Sequence, residues 1–158
     1  MNDSLIYFIT WTTYGTWLPG DGRGWRKANA GVQPPQPLLE DRSRGRMTET
    51  AVVLNSVQRR KVEGVCRRHA EIRGWEFHAV NARTNHVHVA VTADTEPKKV
   101  RGQFKANATR VLRQTPDAIS NTKIWTRAGD IEIVDDEDSL EQVVIYINEA
   151  QDRMGQRK

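Results

Sequence analysis

The chain has 158 residues, with 24 Lys and Arg against 20 Asp and Glu and a net charge of +4. Its single cysteine, Cys66, excludes an intrachain disulfide and a cysteine-built zinc site. No apolar run approaches the roughly 18 residues of a membrane span, and Met1-Asn2-Asp3-Ser4 lacks the basic start of a signal peptide. The expectation is one soluble cytoplasmic domain over residues 1–158, without internal repeats, whose mild basicity admits nucleic acid as a partner without demanding it.

Leu5-Ile6-Tyr7-Phe8-Ile9-Thr10-Trp11-Thr12 is rich in β-branched and aromatic residues and predicts a central strand. A long Gly/Pro/Trp-rich insertion follows, at about 13–47. It opens with four glycines and two tryptophans between Tyr14 and Lys27, but no Gly-Lys-Ser/Thr ending or strand-to-helix context, which excludes a nucleotide P-loop. Trp17 and Trp25 beside Arg23 and Arg26 suit stacking of unpaired bases and neutralising of phosphates. They suit equally a loop folded back on the domain. Residues 28–47 lack periodicity and contain Gln33-Pro34-Pro35-Gln36-Pro37, the mark of extended chain.

Thr48 predicts the N-cap of a helix reaching Arg73 and closed by Gly74. Trp75 to Ala82 alternates as a strand, and a short turn leads into Thr84-Asn85-His86-Val87-His88-Val89-Ala90-Val91. Here Val87, Val89 and Val91 take one face and His86 and His88 the other. Residues i and i+2 of a strand lie about 6.5–7 Å apart, so both imidazoles can lean over one divalent ion. Two histidines make an open shell, which suits catalysis better than a structural site. Taken alone, the pair also fits a strand whose polar face carries two histidines.

Pro97 predicts a helix start, and Val100, Phe104, Ala108 and Val111 recur at helical spacing. Lys98, Lys99, Arg101, Lys105, Arg110 and Arg113 accompany them with no acid between. A wholly cationic exposed face favours nucleic-acid contact. Lys123 to Val134 predicts a further strand, with a hairpin or bulge at Ala128-Gly129. Ser139 and Gln142 are spaced as a capping box for a last helix, whose stripe is Leu140, Val143, Val144 and Ile147. Tyr146 falls off that stripe, as a boundary residue or as a reactive group held at a surface.

The element order is βαββαβ plus a C-terminal helix. It predicts an α+β domain with a ferredoxin-like antiparallel sheet and helices on one face.

Phe8-Ile9-Thr10-Trp11-Thr12-Thr13-Tyr14-Gly15-Thr16-Trp17-Leu18-Pro19-Gly20-Asp21, the His86-Val87-His88 strand and Tyr146-Ile147-Asn148-Glu149-Ala150-Gln151 together carry a resemblance. The chain resembles the HUH single-tyrosine transposases, and among them the REP-associated tyrosine transposases, over essentially its whole length. The resemblance implies cleavage and rejoining of single-stranded DNA next to a hairpin, as a monomer or homodimer. His86 and His88 would hold Mg²⁺ or Mn²⁺, and Tyr146 would form a 5′-phosphotyrosine intermediate. A phenol is protonated at neutral pH and needs nearby positive charge to react. Family members commonly place a third, polar ligand four residues after the tyrosine, where this chain has Ala150. Glu149, about 60° around the helix from Tyr146, is the preferred substitute, with Gln151 the other candidate. Two further readings stand beside this one: a non-catalytic module binding single-stranded DNA or RNA, and a metal-dependent hydrolase using water.

Overall fold

The computed structural model describes residues 3–27 and 30–149. Strand β1 (Leu5–Thr12) is followed by a small hairpin, β2 (Trp25–Lys27) and β3 (Gly31–Gln33), and by helix α1 (Pro37–Gly45). Helix α2 (Ser56–Arg73), strands β4 (Glu76–Ala82) and β5 (His86–Ala93), helix α3 (Pro97–Leu112), strand β6 (Asp130–Val134) and helix α4 (Glu137–Glu149) complete the chain. The main sheet has the order β4-β5-β1-β6, antiparallel throughout, with β1 paired to both β5 and β6. The α+β class and the antiparallel sheet are borne out, while β2, β3 and α1 add to the expected βαββαβ order.

Alternation along β1 decides what lies on each side. Tyr7, Ile9 and Trp11 join Val87, Val89 and Val91 of β5 in the main core, under Val62, Cys66 and Ala70 of α2 and Phe104 and Ala108 of α3. Trp11 stacks on Phe104 at 6.4 Å between centroids and meets Trp125 edge-on at 6.0 Å. Burial of such side chains is worth about 1.5–3 kcal/mol each. They anchor β1 as the central strand.

The intervening residues of β1 and β5 face the other way. There Phe8, Ala79 and Ala90 form a second, smaller cluster with Leu140, Val143, Val144 and Ile147. Thus α2 and α3 share one face, as expected of the helices, whereas α4 covers the opposite one. The reason is compositional: Phe8, Ala79 and Ala90 leave an apolar strip on the histidine-bearing face, and the α4 stripe fills it. Asn81 Nδ2 fixes the end of α4 by donating to the Ile147 carbonyl at 2.8 Å.

Helix α2 begins later than predicted. Asn55, not Thr48, is its N-cap, and Asn55 and Gln58 form a reciprocal capping box. Before it Val52 and Leu54 run extended into the core, their amides donating to Tyr14 and Thr84 carbonyls at 2.9 and 2.8 Å. Gly74 closes α2 in the left-handed conformation, as predicted. In α4, Asp136 caps the helix by accepting from the Ser139 amide at 2.7 Å, in place of the predicted Ser139–Gln142 box.

In the described part of the insertion, β3 and α1 stand where residues 28–47 read as extended chain. Trp17 Nε1 donates to the Gly24 carbonyl at 2.6 Å and Trp25 Nε1 to the Pro34 carbonyl at 2.9 Å. Gly20, at φ +89, allows the chain after β3 to pass close: a Cβ there would lie 2.4 Å from both Gln36 O and Glu40 N. Among the described residues, no helix is long and apolar enough to cross a membrane.

Candidate active site

His86 and His88 lie side by side on the face covered by α4, with ring centroids 4.5 Å apart. Both are largely buried, at 3% and 6% exposure. Their Nδ1 atoms have separate partners. His86 Nδ1 lies 2.8 Å from Asn85 Oδ1, and His88 Nδ1 lies 2.8 Å from Thr10 Oγ1 on the neighbouring strand. An amide oxygen only accepts, so His86 donates from Nδ1 and carries its lone pair on Nε2. The Thr10 hydroxyl permits the same tautomer at His88. Imidazoles oriented through Nδ1 in this way are ordinary metal ligands, and the donor set fits a divalent ion with an incomplete shell.

Tyr146 comes to the same place from α4. Its ring stands edge-on to His88 with centroids 5.6 Å apart, and Phe8 touches both rings, at 5.7 Å from His88 and 6.0 Å from Tyr146. Tyr146 is 38% exposed while its neighbour Ile147 is fully buried. The helix thus roots Ile147 in the small cluster and carries the phenol at the rim of the histidine pair. Asn81 is the register partner of His88 and ties α4 down.

Glu149 does not complete a three-residue shell. Among the described residues, no group of three or more His, Cys, Asp or Glu side chains is placed to hold an ion. Ala150 and Gln151 lie outside the described residues. His78, at the β4 bulge, bonds Thr92 Oγ1 at 2.6 Å, away from the pair.

The residues expected to contact DNA divide into two groups. In the insertion, Arg23 stacks 4.2 Å over the Trp17 ring and pairs with Asp21 at 2.6 Å. Trp25 is 9% exposed. Both tryptophans therefore help fold the loop onto the domain. Arg26 is mostly exposed and reaches Asp130 at 3.3 Å. On α3 the cations stand across the sheet from the histidines, because Phe104 and Ala108 of the same helix pack in the main core. Arg101 donates to the Gly129 carbonyl, and Lys105 Nζ donates to the Thr126 and Ala128 carbonyls at 3.0 and 2.8 Å. Burial, with Arg101 nearby, brings the Lys105 pKa down to about 8. Arg110 bonds Asn107 of its own helix, and Lys98 and Lys99 are exposed. Arg101 and Lys105 therefore hold the 126–129 loop in place.

Sequence reasoning missed Thr10, Phe8, Asn81 and Asn85. Asn85 was visible as the residue before His86; the others emerge only once strand register is known.

The family profile described as "Transposase IS200 like" matches residues 47–150, well over half of the chain. The chain belongs to the IS200-like transposases. This IS200-like chain is also similar in fold to the solved structure of a REP-associated tyrosine transposase bound to a REP hairpin. The TM-score is 0.54 at 13% identity, over 93% of this chain and 66% of that one. The chain thus spans slightly less than two thirds of that protein's length. A second similar structure, a candidate transposase from Deinococcus radiodurans R1, gives a TM-score of 0.47 at 15% identity, over 92% and 89% of the two chains. No curated protein sequence matches the chain.

Proposed function

We propose that this IS200-like transposase acts as one domain bearing an insertion at about 13–47, and that it cuts and rejoins single-stranded DNA beside a hairpin with Tyr146 as nucleophile. The convergence of Tyr146 on His88, 5.6 Å apart between ring centroids, carries this reading. The Tyr146 oxygen attacks phosphorus, the bond from phosphorus to the departing 3′ oxygen breaks, and a 5′-phosphotyrosine and a free 3′-hydroxyl result. The phenolic proton ends on the departing oxygen through solvent. Bond energy is kept in the phosphotyrosine, so the reverse attack by a 3′-hydroxyl needs no ATP.

His86 and His88 would hold Mn²⁺ or Mg²⁺ through Nε2, which would withdraw charge from the scissile phosphate. Imidazole ligands favour Mn²⁺, although cellular supply also weighs in the choice. Asn85 and Thr10 hold the two rings, while Phe8 wedges the phenol against His88. The hairpin substrate is supported by the REP hairpin named in the similar structure.

The test is incubation of wild type and Tyr146→Phe with hairpin DNA bearing randomised single-stranded flanks and Mn²⁺, followed by denaturing electrophoresis. Wild type is expected to give a protein–DNA adduct and Tyr146→Phe none. Equal adduct in both would sink the proposal. Salt-sensitive binding with no adduct under any condition would leave the non-catalytic binding module. Cleavage without a protein-linked phosphate would indicate the hydrolase.

A further inference from the structure

A cleft of about 850 Å³ opens between the insertion and the edge of the main sheet. That volume falls in the range of roughly 300–1,000 Å³ that takes small organic ligands. Thr10 and Thr12 form part of its lining, with Trp17 and Trp25 from the insertion, Arg127 to Gly129 from the loop before β6 and Asp130 at the start of β6. Thr10 is also the residue bonded to His88, and Thr12 is the register partner of His86. The cleft and the histidine pair thus share Thr10 and Thr12 of β1, although neither histidine lines the cleft.

Its charge is one-sided. Four cations line it, Arg23, Arg26, Lys27 and Arg127, against the single acid Asp130. Arg23 is paired with Asp21, and Arg26 bridges from β2 to Asp130. Lys27 and Arg127 are exposed. The half-buried Trp17 ring beside exposed cations suits one ligand chemistry above others: a flat unpaired base with its phosphate. Arg101 and Lys105 hold the opposite wall through carbonyls of residues 126, 128 and 129. Gly129 keeps that wall close to β1, because a Cβ there would lie 2.6 Å from Thr10 O.

We infer that this cleft receives the unpaired nucleotide next to the scissile phosphate, its base at Trp17 and its phosphate toward Lys27 and Arg127. The inference rests on Tyr146 and the histidines marking the point of cutting. It makes the insertion the part of the chain that senses which base stands beside the cut.

Binding without metal tests this independently of cleavage. A DNA hairpin with oligothymidine flanks is titrated with the full chain, with an abasic site placed at each flanking position in turn. One position, or two adjacent ones, should weaken binding about tenfold while the others stay near neutral, as expected for loss of one stacked base. Val32 lines the cleft and is 70% exposed, so charge can be added there with little effect on folding. Val32→Glu should weaken binding and flatten the abasic profile, whereas Val32→Lys should tighten binding. Misfolding would weaken both variants, so opposite signs identify the cleft. A flat scan in wild type, or Val32 variants that leave binding unchanged, would overturn the inference. Adduct formation with a flat scan would leave the cutting proposal standing without the cleft. The expected scan with no adduct would leave the cleft as a binding site and remove the cutting.

Discussion

Thr10 of β1 and His88 of β5 are direct register partners, and the hydroxyl of one lies 2.8 Å from Nδ1 of the other. A hydrogen bond from the central strand thus sets the ring of a histidine on its neighbour. Thr10→Val keeps the shape of the side chain and removes that bond. Loss of such an orienting partner typically costs 10–100-fold in metal affinity. Mn²⁺ titration followed by electron paramagnetic resonance should show a loss of about that size with the thermal midpoint little changed. Unaltered Mn²⁺ affinity would show that His88 needs no help from Thr10.

Asn81→Ala cuts the side-chain bond to the Ile147 carbonyl, the tie between β4 and the end of α4. A neutral hydrogen bond of this kind contributes about 0.5–1.5 kcal/mol. The helix should open more often, so amide exchange should quicken in α4 and stay unchanged in α2. Adduct formation should slow with it. Equal exchange in both helices would remove Asn81 from the positioning of Tyr146.

Lys105 offers a pH test. Its pKa falls from 10.5 in the unfolded reference to about 8 in the fold, through burial first and Arg101 second. Between these values the unfolded chain binds a proton that the native chain does not, so this group makes stability rise with pH across the window. Denaturant titrations at about pH 8 and about pH 10.5 should show wild type gaining stability relative to Lys105→Met. Parallel pH profiles for the two proteins would contradict this.

Phe104→Ala should be among the costliest single changes. The ring is fully buried and meets Trp11, Trp75 and Phe77 at 6.4, 5.7 and 6.4 Å between centroids. Truncation of such a side chain costs about 3–5 kcal/mol. Urea unfolding measures it, and a loss below about 1 kcal/mol would mean that the core closes over the gap.

Much of this was legible in the sequence because it rests on periodicity. The two-residue alternation of His86 to Val91 and the α4 stripe with Tyr146 off it both appear in the fold, although β5 is buried on both faces where the pattern predicts one. Residues set by pairing across strands were not legible. Nothing local marks Thr10 as the partner of His88, or shows that Phe8, Ala79 and Ala90 make a strip for α4. Charge pattern could not separate the roles on α3, since a lysine bonded to two carbonyls, as Lys105 is, reads like the exposed Lys98 and Lys99. The start of α2 was misjudged because both Thr48 and Asn55 are good caps. Only the burial of Val52 and Leu54 decides between them.

The alternation within β1 has a bearing on assembly. Moving the strand by one residue against β5 would exchange its two sides at once, turning Trp11 outward and Phe8 and Thr10 inward. Large indole surface would be left wet, and the hydroxyl that steadies His88 would be lost in the same slip. Misregistered molecules would therefore lose core burial and the support of His88 together, so the alternation that secures the fold also guards the histidine pair.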